Sequence, residues 1–228
     1  MPGLHPHQIT GCKVNTRIRI DFVSDVSCPW CAIGLKSLED ALGQLNGQVT
    51  AEVHFQPFEL NPNMPAEGQD IIEHLIEKYG LTPEQYQQNT EALRVRGEQV
   101  GFTFSTGKRS RIYNTFDAHR LLHWAELEGR QLELKHALFR AYFTDGQDPS
   151  SHEILVGLAE QAGLDPSRAR EILSSGEYVQ AVRERERFYL DQGINAVPSV
   201  IINERHLIQG GQPADVFAQA LRKIALEQ

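Results

Sequence analysis

The chain opens on a two-residue period and then abandons it. Ile18, Ile20 and Phe22 alternate with Arg17, Arg19 and Asp21, which predicts a strand over Thr16–Val23. From Ala32 to Leu45 the apolar positions are Leu35, Leu38, Leu42 and Leu45, at steps of three, four and three, so they line one face of a helix. Gly47 helps to end it. Val49, Ala51, Val53 and Phe55 then alternate with Thr50, Glu52, His54 and Gln56, a second strand. Strand, helix and strand in this order predict a βαβ unit with a parallel pair.

From Phe58 to Gly68, with Pro62 and Pro65, the chain reads as loop. Beyond it, to about residue 192, nearly everything has the helical period. Ile71, Ile72, Leu75, Ile76 and Tyr79 form a stripe that stops at Gly80, and Thr82-Pro83 is an N-cap followed by proline at the first helical position. Thr103–Ser110 is polar and reads as loop, and Phe116–Leu127 and Leu132–Phe143 as helices. Ser150 with Glu153 reads as a capping box, Asp165-Pro166 as another start, and Glu177–Gln192 as a last helical run ended by Gly193. The run Arg183–Arg187, alternating in charge, reads as a solvated face with local ion pairs. The β period then returns at Ser199–Ile202, turns at Asn203–His206 and resumes at Leu207–Gln209. Gly210-Gly211 breaks it, and Pro213 opens a final helix with Val216, Phe217, Ala220, Leu221 and Ile224 inward. The expected organisation is a flexible leader (1–15), a split α/β domain (16–62 and 193–228) and an inserted all-helical domain (63–192).

Composition narrows the partners. At 228 residues with a net charge of −8, the chain argues against nucleic acid or an anionic membrane as a main partner. No apolar run reaches membrane-spanning length, and the N-terminus lacks the apolar core of a signal peptide. A cytoplasmic location is the default. Three cysteines are too few for a secreted disulfide scaffold.

Two of those cysteines lie in Cys28-Pro29-Trp30-Cys31, between the first strand and the first helix. Sulfur at a helix N-terminus faces unpaired N–H groups and the positive end of the helix dipole. Both favour the anion, so the position predicts a reactive thiolate at Cys28, with Cys31 one turn inside and able to close a disulfide on it. Other readings of the pair are half of a zinc site or two buried cysteines without a role. Zinc needs further ligands, for which His119 and His123, four apart on a predicted helix, are the best candidates; no metal site is expected. Cys12, in the leader, reads as a free surface thiol. Ala196-Val197-Pro198 precedes the third strand, where proline is tolerated because it need not donate to the ladder.

Together these segments resemble the DsbA family of thiol–disulfide oxidoreductases, in its FrnE-like branch. The resemblance runs from Ile18 to Leu226. It is carried by Ser24–Cys31 with Ile33–Lys36, Phe58–Pro62, Asn114-Thr115, Ala118–Leu121, Leu138-Phe139, Tyr142-Phe143 with Gly146, Ala196–Ser199 and Gly210–Pro213. It implies a thioredoxin-like fold with a helical insertion and an active site at their junction. It implies Cys28 as nucleophile and Cys31 as resolving thiol, joined in a redox-active disulfide with no other bound cofactor. It also implies a cis-proline loop at Val197-Pro198 that, with Pro29 and Trp30, meets the substrate. Asp21 is similar in placement to the family's buried acid that helps move the second thiol's proton; alternation also puts it on one face with Arg17 and Arg19, where a surface ion pair is the other reading. His119 and Arg120 match the family, with helix packing or capping as their reading. Unlike some members of the branch, the chain has no second C-terminal cysteine pair.

The expected function is disulfide exchange with protein or small-molecule thiols, with glutathione open as co-substrate. The cis-proline backbone and the start of the last helix near Gln212–Asp215 suit a peptide carboxylate. The alternatives are a glutathione-dependent transferase or isomerase of the kappa or 2-hydroxychromene-2-carboxylate isomerase type, and a peptide-binding, chaperone-like module. Direction, and whether the protein is monomer or homodimer, stay open.

Overall fold

The structure is a computed structural model that describes residues 16–227; the leader and Cys12 lie outside them. Strand β1 (Thr16–Ser24), helix α1 (Pro29–Gln44) and strand β2 (Val49–Pro57) come first. The insertion follows: β3 (Gln69–Asp70), α2 (Ile71–Tyr79), α3 (Pro83–Gln99), β4 (Arg111–Ile112), α4 (Phe116–Leu127), α5 (Gln131–Phe139), a π-helical turn (Arg140–Asp145), α6 (His152–Gln161), α7 (Pro166–Ser174) and α8 (Val179–Asp191). Strands β5 (Ser199–Ile202) and β6 (His206–Gln209) and helix α9 (Ala214–Leu226) close the chain.

The sheet order is β2-β1-β5-β6, with β1 parallel to β2 and antiparallel to β5. Alternation gives each face of β1 its own neighbours. Ile18, Ile20 and Phe22 share a core with Leu35 and Leu38 of α1 and Phe217 and Leu221 of α9. Val23 instead joins Tyr189 of α8 and Ile194. This is a thioredoxin-like α/β fold carrying a helical insertion.

Sheet and insertion exchange residues. Phe139, Tyr142 and Phe143 are buried in the sheet's core, while Val26, two residues before Cys28, is buried among Leu121, Leu138, Leu155 and Ile172 of the insertion. Each side chain of this kind contributes roughly 1.5–3 kcal/mol on burial. Strand β2 is an edge strand, and the insertion covers it. Gln131 at the start of α5 accepts from Phe55 N (2.8 Å) and donates to Phe55 O (3.0 Å).

Three local expectations are revised. The insertion is helical but carries a two-residue ladder, Gln69↔Ile112 and Asp70↔Arg111. The helix expected over Leu132–Phe143 finishes as the π turn, ended by Gly146 at φ 73°, where a Cβ would meet Lys108 O at 2.6 Å. The cap of α6 is Ser151, whose Oγ accepts from Ile154 N, rather than Ser150. Ser150 is held by Asp148 Oδ1, to which its N–H (2.8 Å) and hydroxyl (2.6 Å) both donate. Thr82 caps α3 reciprocally with Gln85.

Candidate active site

Cys28 is the N-cap of α1 and Pro29 its first helical residue. The turn that delivers it is built on Asp25. The carboxylate accepts from Ser27 N (3.3 Å), Ser27 Oγ (3.0 Å) and Leu60 N (2.7 Å), and the Asp25 carbonyl accepts from Cys28 N (3.3 Å). Burial alone would raise the Asp25 carboxyl. His119, with Nε2 3.4 Å from Oδ1, outweighs it together with Leu60 N–H and Thr115, holding the carboxyl down to about 2. His119 arrives from α4, so the insertion reaches under the motif.

The Val197-Pro198 bond is cis, and Cys28 Sγ lies 3.7 Å from the Val197 carbonyl oxygen. Two glycines permit that approach. A Cβ on Gly34 would stand 3.2 Å from Pro198 Cγ and 3.3 Å from Gly211 Cα, and one on Gly211 would stand 2.9 Å from Trp30 O. The sequence brackets these segments 160 or more residues apart; the fold stacks them in one layer. Both thiols are free, Cys28 nearly and Cys31 wholly buried.

Near the thiols lies Lys135 of α5, fully buried, with no hydrogen-bond partner for Nζ among the described residues. Its ammonium sits over the Phe139 ring at 4.8 Å and the Phe55 ring at 5.7 Å. Burial pulls Lys135 down to about 8, against the attraction of Cys31, Asp25 and Cys28. Burial, then the Cys28 thiol, push Cys31 well above the usual thiol range, and Lys135 pulls the other way. Burial thus favours the neutral form of both the amine and the thiol. Lys135 was not singled out by the sequence reading. Its signal was a lysine on the apolar stripe of a helix, four residues before Phe139.

Asp21 is corrected. It lies next to Val23's face of β1, opposite the face that meets α1 and the thiols. It is buried, accepting from Arg19 (2.8 and 2.9 Å) and from Gln56 Nε2 (2.7 Å). The pair with Arg19 is present but buried rather than at the surface, and the charged groups acting on Cys31 are Cys28 and Lys135. Arg120 donates to the Ser175 (2.7 Å), Ile172 and Glu177 (2.9 Å) carbonyls and to Asp117 (2.8 Å), closing the C-terminal end of α7. His123 packs against the Tyr178 ring, centroids 5.0 Å apart and the planes tilted by 53°. Among the described residues no cluster of three His, Cys, Asp or Glu side chains has the spacing of a metal site.

Cys28, Pro29, Trp30 and Val197 form one wall of a cavity of about 410 Å³, and α2, α3 and Arg109 form the other. That volume suits a small molecule or a few residues of peptide. Trp30 stands half exposed at its rim.

A dithiol at a helix start, set against a cis-proline in an interrupted sheet, defines a thioredoxin-like protein of the oxidoreductase type. A model of the DSBA-like thioredoxin domain matches residues 19–222. The chain belongs to that family. The solved probable DsbA oxidoreductase SCO1869 from Streptomyces coelicolor is 34% identical, with 92% of this chain and 91% of that one covered at a TM-score of 0.86. The protein YwbO of Bacillus subtilis (strain 168) is 28% identical over 205 residues, 90% of this chain and 96% of its own. Cytosolic disulfide reductase DsbM from Pseudomonas aeruginosa, solved with GSH, shares the fold at 18% identity, with 90% and 98% covered and a TM-score of 0.61.

Proposed function

We propose that the protein exchanges disulfides with small-molecule or protein thiols through Cys28 and Cys31. The supporting observation is the Cys28 thiol at the N-cap of α1, 3.7 Å from the Val197 carbonyl and on the wall of a cavity. Cys28 Sγ attacks one sulfur of the substrate disulfide, and the other leaves as a thiolate. Cys31 then gives up its proton and attacks Cys28 Sγ, releasing the second thiol and closing Cys28–Cys31. The substrate is reduced by two electrons and the protein oxidised by two; a thiol partner such as glutathione reverses the step. Val197 O and the cis-proline loop receive the substrate's backbone, with Pro29 and Trp30 flanking it. Lys135 accepts the Cys31 proton, the part first assigned to Asp21. A reducing cytosol, where a dithiol persists, is the compartment that fits.

Turnover of glutathione disulfide and of insulin, followed in Cys28→Ser and Cys31→Ser, tests this. Cys28→Ser is expected to abolish turnover, and Cys31→Ser to accumulate mixed disulfides seen by mass spectrometry. Undiminished turnover in Cys28→Ser overturns the proposal. Saturable glutathione binding with conversion of a small electrophile in Cys31→Ser would replace it with the transferase or isomerase reading.

A further inference from the structure

The cavity beside Cys28 is electrically one-sided. Among the described residues no Asp or Glu lines it, in a chain of net charge −8. Its charged member is Arg109, whose guanidinium lies over the rings of Tyr142 (5.2 Å) and Phe143 (5.1 Å) and makes no ion pair with any described carboxylate. The remaining titratable base is His74, which burial and then Lys78 shift towards its neutral form. Arg109 is therefore the fixed positive charge of the wall. Leu75, Leu81, Leu93 and Ile112 make much of the rest apolar. The start of α9, the other place a carboxylate could go, carries Asp215 in its first turn, which opposes an anion there.

We propose that this cavity is a subsite for a small thiol or disulfide with an apolar body and a carboxylate, and that Arg109 is the carboxylate's anchor. The proposal rests on the disulfide-exchange reading and gives that site its substrate class. An arginine braced on two rings loses little freedom on forming a bidentate carboxylate pair. The carboxylate binds across the cavity while the ligand's sulfur meets Cys28 Sγ. That sulfur–sulfur bond breaks as Cys28–S forms, the first thiolate leaves, and Cys31 displaces the second, as above.

Two chromogenic disulfides test it: dithiobis(nitrobenzoate), with a carboxylate on each ring, and neutral dithiodipyridine. The readout is the ratio of their rates with the Cys28 thiol of the reduced protein. Arg109→Gln is expected to lower the anionic-to-neutral ratio about tenfold, with Arg109→Lys between. In the unaltered protein, raising salt from tens of millimolar to about 0.5 M lowers the same ratio, because the Debye length contracts severalfold. A ratio unmoved by Arg109→Gln and by salt overturns the subsite while leaving disulfide exchange intact. Reduction of neither disulfide, or equal rates in Cys28→Ser, overturns both.

Discussion

The roof of the cavity and the helices that bear His119 and Lys135 are made differently. Helices α4 and α5, which do not line the cavity, bury seven of 12 and five of nine residues, His119 and Lys135 among them. The roof comes from α2 and α3, which among their described residues bury two of nine and one of 17. Ile72, Ile76, Tyr79 and Val95 stay exposed on it. Helices α4 and α5 hold two buried polar side chains in a dry, packed surround. The roof only lines the cavity beside Cys28, and loosely packed elements of that kind come from the less stable end of a structure.

Lys135→Met is the strongest way to break this contrast. Release of the second thiol from the Cys28 mixed disulfide is expected to slow about a hundredfold, with alkylation of Cys28 by iodoacetamide little changed. The wild-type resolution rate should rise as pH passes about 8, where Lys135 loses its proton, and the variant should lose that inflection. An unchanged rate and profile would remove Lys135 from the mechanism.

The same variant carries a stability prediction with a definite sign. Lys135 is held near 8 in the fold and near 10.4 unfolded, so the unfolded chain binds the extra proton between those values. Stability therefore rises with pH across that window, and below it the buried ammonium costs the fold on the order of 3 kcal/mol. Lys135→Met should melt higher than wild type at pH 7, and the gap should shrink towards pH 10. A variant less stable at pH 7 would mean the ammonium is better solvated than its surroundings indicate.

On the roof, Gly97→Ala is expected to cost about 1–3 kcal/mol, since its Cβ would meet Phe102 O and the Phe104 ring at 2.5 Å. Amide exchange should localise that loss to α3 and spare α4 and α5. Ile76→Ala should move stability by about 0.5 kcal/mol or less, within the range of surface changes. A larger fall in the denaturation midpoint would show that the roof is packed after all.

The periodic parts of this chain were readable because burial there follows one face of one element. Alternation at Ile18–Phe22 and the leucine steps in α1 gave the βαβ start, and the motif's place between strand and helix gave the dithiol. The site's electrostatics did not follow from spacing. Asp25 acts through a local turn that short polar residues form anywhere, and its partner His119 is 94 residues away by number. Lys135 violates its helix's apolar stripe, and such violations mark chemistry more often than error. Asp21 was misplaced because a likeness in sequence position says nothing about which sheet face a side chain takes. Ser150 and Ser151 are equivalent as caps until Asp148 claims the first.

The Gln131 side chain on β2 bears on synthesis. It reproduces a backbone partner for Phe55 on an otherwise open strand, across 76 residues of sequence. Until those residues leave the ribosome, the nascent sheet exposes a bare edge that another chain can extend. Once α5 docks, the edge is shut. Docking of the insertion then satisfies Phe55 on that edge from within the same chain, independently of the thiols.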